Sequence, residues 1–208
     1  MGMLLLCPPH RTGGAFSAHF DKVLGLDVAI RQNWYLLNLP GHSKHDVSRS
    51  IARVAAKPAY EALSEELSDT PGILQNAAAS IRKQEWADNF LEHPLVKECG
   101  PEGIIPLGLY VDGVQFQRRN TTIGFWVINL ITHRRHLMVV LQKRDLCRCG
   151  CKGYCSLYTT LSFIEWSIAA LVSGRYPTTR HDGPWEHGAV GQEFADQPLG
   201  FRAVPVLF

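Results

Sequence analysis

Ile104-Ile105-Pro106-Leu107-Gly108-Leu109-Tyr110-Val111-Asp112-Gly113-Val114-Gln115-Phe116 reads as a β-strand, an apolar run into which one carboxylate is set. A carboxylate on an otherwise apolar central strand carries a desolvation cost unless something compensates its charge. Mg²⁺ is the natural partner, shared with another carboxylate and with phosphate oxygens. That makes Asp112 the candidate catalytic residue. The competing reading treats Asp112-Gly113 as a hairpin turn with the side chain in water.

Two more strand-like runs follow, at 123–131 and 136–142, and residues 124–131 are apolar on both alternations. That pattern predicts a sheet covered on both faces. Further on, Ser156 is placed to cap a helix that continues to Ser173, with Gly174 as its stop and Pro177 beyond. Leu157, Leu161, Ile164, Ile168 and Leu171 mark one face of this helix, which Phe163, Trp166 and Ala170 widen, so it packs against the sheet. Glu165 is its only charged residue and suits a narrow solvent-facing stripe with Ser162 and Ala169. The last eight residues, 201–208, read as a strand cut short. Three strands, a helix and a fourth strand predict an α/β (or α+β) domain.

Upstream the character differs. Residues 1–40 are irregular, broken by Pro8-Pro9, Gly13-Gly14 and Pro40-Gly41. Residues 41–100 read as helical: Val47, Ile51 and Val54 recur at helical spacing, as do Tyr60, Leu63 and Leu67, with Pro58 dividing the run. A second helix is predicted over 72–91, closed by His93-Pro94. Residues 101–208 form the sheet domain.

Within that domain lies Cys147-Arg148-Cys149-Gly150-Cys151-Lys152-Gly153-Tyr154-Cys155, which holds four of the six cysteines. Thiols crowded this closely have poor geometry for bridging one another and read as ligands of a structural Zn²⁺. The C-x-C-x-C spacing is tighter than usual. It leaves room for one cysteine to be spare, with His133, His136 or His181 as the replacement; the alternative is a reduced, metal-free loop. Cys7 and Cys99 are isolated thiols.

Between Gln115 and Cys155 the chain carries eight basic residues (Arg118, Arg119, Arg134, Arg135, Lys143, Arg144, Arg148, Lys152) against one acid, Asp145. A locally basic middle suits a phosphate-bearing partner, and DNA is the expected one, bound by Arg118, Arg119, Arg134, Arg135, Lys143 and Arg144. The opposing reading is a solvated rim of strand ends. The apolar start, Met3 to Cys7, is too short for a secretory segment, and no run reaches the roughly 18 apolar residues of a membrane span. These features predict an intracellular protein without a membrane partner, nuclear if it binds DNA. Arg180-His181-Asp182-Gly183-Pro184 is first of all turn chemistry, although its adjacent His and Asp also admit an acid–base or metal role. No nucleotide loop or nucleophile triad is present.

The strings 105–116, 147–155 and 174–183 together resemble an uncharacterised family of highly repeated, transposon-like proteins of unicellular eukaryotes. The likeness covers roughly residues 90–208. Read as a DDE-type transposase, the family implies a ribonuclease-H-like core in which Asp112 holds Mg²⁺ and the aspartate of a Gly-Asp-Trp-like segment beyond the last strand is the second ligand. This sequence ends before such a residue. The resemblance therefore implies a DNA-processing ancestry and a catalytically incomplete domain fragment. The other expectation is a zinc-stabilised, non-catalytic module that binds nucleic acid or protein.

Overall fold

The computed structural model describes residues 35–42, 48–70, 72–73, 88–117, 120–143, 146–187 and 189–206. All of them belong to one compact unit, Tyr35–Phe208. Six strands, β1 (Tyr35–His42), β2 (Arg49–Ala56), β3 (Ile104–Gln117), β4 (Asn120–Asn129), β5 (Arg135–Gln142) and β6 (Arg202–Pro205), form one sheet in the order β1-β2-β5-β4-β3-β6. Five helices accompany it among the described residues: α1 (Ala59–Asp69), α2 (Asp88–Leu91), α3 (Pro94–Cys99), α4 (Tyr154–Ser173) and α5 (Val190–Glu193).

The expected α/β class and the run of three strands, a helix and a strand are found. β3, β4 and β5 are an antiparallel meander, and β6 returns parallel to β3 through Ile104↔Arg202 to Leu107↔Pro205. A parallel return needs a crossover, which α4 and the loop after it provide.

A β-hairpin corrects two expectations: residues 35–40, read as irregular, belong to strand β1, and residues 49–56, read as helical, form strand β2. β1 and β2 pair antiparallel from Tyr35↔Ala56 to His42↔Arg49, where helical spacing had placed Ile51 and Val54 on one face. Along β2, Arg49, Ile51 and Arg53 are exposed while Ser50, Ala52 and Val54 are half-buried, a period of two. Ile51 and Val54, three apart, would share a face of a helix but fall on opposite faces of the strand, and two residues are too few to fix a period. Val47 and most of the second predicted helix, 74–87, lie outside the described residues, as do residues 1–34. Pro58 does divide the run. Its extended backbone (ψ 142°) ends the strand passage, and α1 starts at the next residue with Tyr60 and Leu63 buried, as predicted.

α1 and α4 pack on one face of the sheet, over Leu37, Leu39, Ile105, Leu107, Phe125, Val127, Val139 and Leu141. Phe163 and Leu171 of α4 are fully buried there, each side chain contributing about 1.5–3 kcal/mol of transfer free energy. By length and composition α4 could also cross a membrane, contrary to the expectation that no run would be long and apolar enough. The predicted stop is observed: Gly174 takes the left-handed conformation (φ 71°) that glycine adopts without strain.

Among the described residues, the second face is covered at one corner, where Phe90 and Val96 meet Ile104, Val204 and Val206. Elsewhere Tyr110 and Val140 are exposed, so the expected two-sided cover is incomplete. The Trp126 indole lies flat over Gly124, where an added Cβ would come within 2.1 Å of the ring.

Candidate metal centre

The chain leaves β5 at Gln142 and must turn back to start α4. Leu146 packs on the main core, and Cys147 behind it is buried, 2% exposed. Gly150 (φ 93°) and Gly153 (φ 90°) make the reversals that fold the segment onto itself. The Tyr154 N–H donates to the Cys151 carbonyl (3.0 Å), and α4 begins with Cys155 in its first turn. Three thiols thus come from the loop and the fourth from the helix.

The four sulfurs of Cys147, Cys149, Cys151 and Cys155 all lie within 4.8 Å of one another, and those of Cys149 and Cys155 are 3.8 Å apart. These four can hold a metal ion. Hydrogen bonds from the Cys147 thiol, the Cys151 backbone and the Arg49 guanidinium hold the Cys149 thiol down at about 6. Cys155 is pushed up to about 12 by its hydrogen bonds to Cys151, Cys149 and Cys147. Like charges this close cannot all form unaided, so full deprotonation calls for a cation among them.

Expected substitutes for a spare cysteine do not reach the cluster. His133 sits in an exposed turn (φ 59°), His136 Nε2 is 2.7 Å from Glu66, and His181 Nδ1 is 2.6 Å from the Tyr35 hydroxyl. All four ligand positions are sulfur. Ser156 was expected to cap α4 but lies inside its first turn, where it ties three segments together. Its hydroxyl accepts from the Cys147 N–H (2.8 Å) and donates to the Pro40 carbonyl, while the Arg148 N–H donates to His42 Nδ1 (2.8 Å). The loop is thereby clasped to the end of β1.

Asp112 faces water, as the competing reading had it, but from within a strand and not from a hairpin turn. It is exposed, inside β3 opposite Gly124, not desolvated and not on a turn. It accepts from the Tyr110 hydroxyl (3.1 Å) and the Gly113 N–H (2.7 Å). Among the described residues it belongs to no group of three potential metal ligands, and nothing around it supports Mg²⁺.

The basic set expected to act together is divided. Arg134 and Arg135 are exposed where β5 begins and Lys143 where it ends; Arg118, Arg119 and Arg144 lie outside the described residues. The cysteine loop follows Lys143 and carries the exposed Arg148 and Lys152. Antiparallel register brings the Arg49 end of β2 to that side of the sheet, and Arg49 hydrogen-bonds Cys149. Arg49 and the exposed Arg53 were overlooked because their segment was read as a helix.

A second polar cluster was not foreseen at all. Glu66 of α1 is 2% exposed and accepts from Thr132 Oγ1 (2.5 Å), from Asn129 Nδ2 (3.3 Å) and on its Oε2 from His136 Nε2 (2.7 Å). Burial pushes its carboxyl up, but the hydrogen bonds from His136, Thr132 and Asn129 outweigh this and hold it below its ordinary value. Glu66 thus ties α1 to the β4–β5 turn and to β5, so the cluster supports the fold.

The Arg180-Gly183 turn forms as expected, with the Arg180 N–H donating to the Gly183 carbonyl (2.8 Å). Its side chains do more than close a loop. Arg180 pairs with Asp182 (2.8 Å), bonds the Leu36 carbonyl (3.1 Å) and lies 4.4 Å over the Tyr35 ring. The His181 side chain, 2% exposed, stands among Tyr35, Phe163 and Trp166, and burial lowers its basicity. Sealed among rings and hydrogen-bonded to the Tyr35 hydroxyl, His181 clasps β1.

Compared with known proteins, the chain matches no family model, no curated protein and no solved structure. Its function is therefore read from the clustered thiols and the charges around them.

Proposed function

We propose that this domain is a zinc-stabilised, non-catalytic nucleic-acid-binding module. Zinc held by Cys147, Cys149, Cys151 and Cys155 would set the basic residues Arg49, Arg53, Lys143, Arg148 and Lys152 against a phosphate backbone. The observation that carries this reading is the four-sulfur cluster within 4.8 Å, on a loop with two basic side chains of its own. Zn–S bonds of about 2.3 Å in a tetrahedron put the sulfurs roughly 3.8 Å apart, the separation of Cys149 and Cys155. Soft thiolates favour Zn²⁺ over Mg²⁺ or Ca²⁺, and four protein ligands leave no open position for a reacting water. Such a site stabilises and does not catalyse. A reducing compartment keeps these thiols available, which fits an intracellular, and for a DNA partner nuclear, protein.

The test is metal analysis of purified protein followed by titration of a labelled DNA at several salt concentrations. One zinc per chain is expected, with affinity that falls steeply as salt rises and weakens in Lys152→Ala and Arg53→Ala. Zinc-loaded protein with no salt-dependent affinity for DNA or RNA would end the proposal.

A second reading is favoured by the sheet order. An antiparallel meander (β3, β4, β5), a helix and a parallel strand beside β3 follow the succession of a ribonuclease-H-like core. Asp112 lies on the first strand of that meander, which supports descent from a DNA-processing, transposase-like domain. Magnesium-dependent nicking of DNA that disappears in Asp112→Ala would establish that activity. Nicking that persists in the variant would discard it.

A further inference from the structure

The outer face of α4 presents aromatic rings to solvent directly beside the cysteine loop. Tyr154 is 64% and Tyr158 59% exposed, and their ring centroids are 5.8 Å apart at a tilt of 31°. Spacing of four residues puts both side chains on one side of the helix, opposite the face that buries Ser156, Thr160, Phe163 and Ser167. Leu161, 49% exposed, and Glu165 continue the same stripe. Neither ring helps to hold the sheet.

What distinguishes this pair is that the rings lie together beside a basic loop, and that chemistry selects the partner. Lys152, exposed with φ 53°, lies two residues before Tyr154, and Arg148 four residues before Lys152. Cation-bearing loop and π-faced helix are thus contiguous. Duplex DNA hides the faces of its bases, so a basic surface that reads only phosphates has nothing for the rings to do. A single strand exposes both base faces and phosphates, and aromatic platforms next to basic residues bind it without needing a given sequence.

Resting on the nucleic-acid reading above, we infer that Tyr154 and Tyr158 form a base-stacking platform, and that the ligand is single-stranded nucleic acid. Consecutive bases stack on the two rings while the phosphates run past Lys152 and Arg148. The helix supplies a rigid floor, since α4 is anchored along its opposite face by Phe163, Ile164 and Leu171. The metal cluster fixes where the basic loop stands relative to the rings, because Cys155 lies in the same helical turn as Tyr154.

The test uses the zinc-loaded full chain and four fluorescently labelled probes: a pyrimidine single-stranded DNA, the matching RNA, the DNA duplex and an abasic strand of equal length. Both single strands should bind about tenfold or more tightly than the abasic strand, because alanine replacement of a stacking ring costs about that much per base. Tyr154→Ala and Tyr158→Ala should each lose most of that advantage, whereas Tyr154→Phe and Tyr158→Phe should keep it. Zinc content and thermal melting check that the variants remain folded. Equal affinity for single strand, duplex and abasic strand would overturn the platform and leave the nucleic-acid reading standing. Tyrosine variants that bind the single strand as well as the parent chain does would overturn it too. Absence of affinity for every probe would remove both. The DNA and RNA arms decide which sugar the surface prefers.

Discussion

Strand β5 begins and ends in polar clusters of opposite kind. At its start His136, with Asn129 and Thr132 just upstream, meets the Glu66 carboxylate, and the hydrogen bonds converge on one buried acceptor. Past its end four thiols converge within 4.8 Å of one another, with the Arg49 guanidinium hydrogen-bonded to one of them. A cluster whose donors meet their acceptor is part of the scaffold. One that crowds like groups together asks for a ligand, and that distinction locates the candidate site without any relative to consult.

The largest effect should come from metal removal. Structural zinc contributes about 10–16 kcal/mol in isolated finger peptides, part of which here would stabilise the β1 clasp and the loop. A strong chelator, or Cys155→Ser, should lower Tm by more than about 10 °C in a melting scan. An unchanged melt would mean that the thiols, like the glutamate cluster, need nothing added.

Breaking the self-contained cluster should rank next. Glu66→Ala leaves His136 and Asn129 without their buried acceptor and should cost about 3–5 kcal/mol in a denaturant titration, irrespective of zinc. The same group carries a pH signature. Its folded-state acidity is stronger than its ordinary 4.5, so its stabilisation is present above that pH and disappears as pH falls through the lower folded value. In the alanine variant the acid limb of stability against pH should flatten. An identical acid limb in both proteins would show that Glu66 is not held as described.

Smaller effects should appear between the two clusters. Gly124→Ala would force the Trp126 indole off the backbone it covers and should cost about 1–3 kcal/mol, visible as a change in tryptophan fluorescence along with stability. Asp112→Ala should leave stability within about 0.5 kcal/mol, because the carboxylate is exposed and its bonds are local. A large loss there would reveal a partner for Asp112 that the surroundings do not show.

These contrasts also explain what could be read in advance. The thiol cluster is local, four ligands within nine residues, so spacing alone disclosed it. β3, β4, β5 and α4 were legible because each is a long apolar run with glycine, proline or turn residues at its ends. The β1–β2 hairpin was not, since its alternation is carried by alanines and arginines and its burial depends on α4. Nor could Glu66, Asn129 and His136 be matched beforehand. They are brought together over separations of 63 and 70 residues by strand register, which no local pattern encodes. Asp112 misled for a related reason: β3 is buried from Ile104 to Gly108 but exposed from Leu109 to Gly113, and the apolar run does not mark where the cover of its faces stops.

Attachment of the hairpin carries a consequence for biosynthesis. β1 joins the rest through Pro40 to Ser156, His42 to Arg148 and Tyr35 to His181, partners 116, 106 and 146 residues downstream. At ribosomal speeds of roughly 5–20 residues per second, the nascent strands wait on the order of ten seconds for their docking surface to be made. During that interval the free edge of β1 is open to chaperones and to stray pairing, until β5 pairs with β2 and α4 with its preceding loop docks on β1.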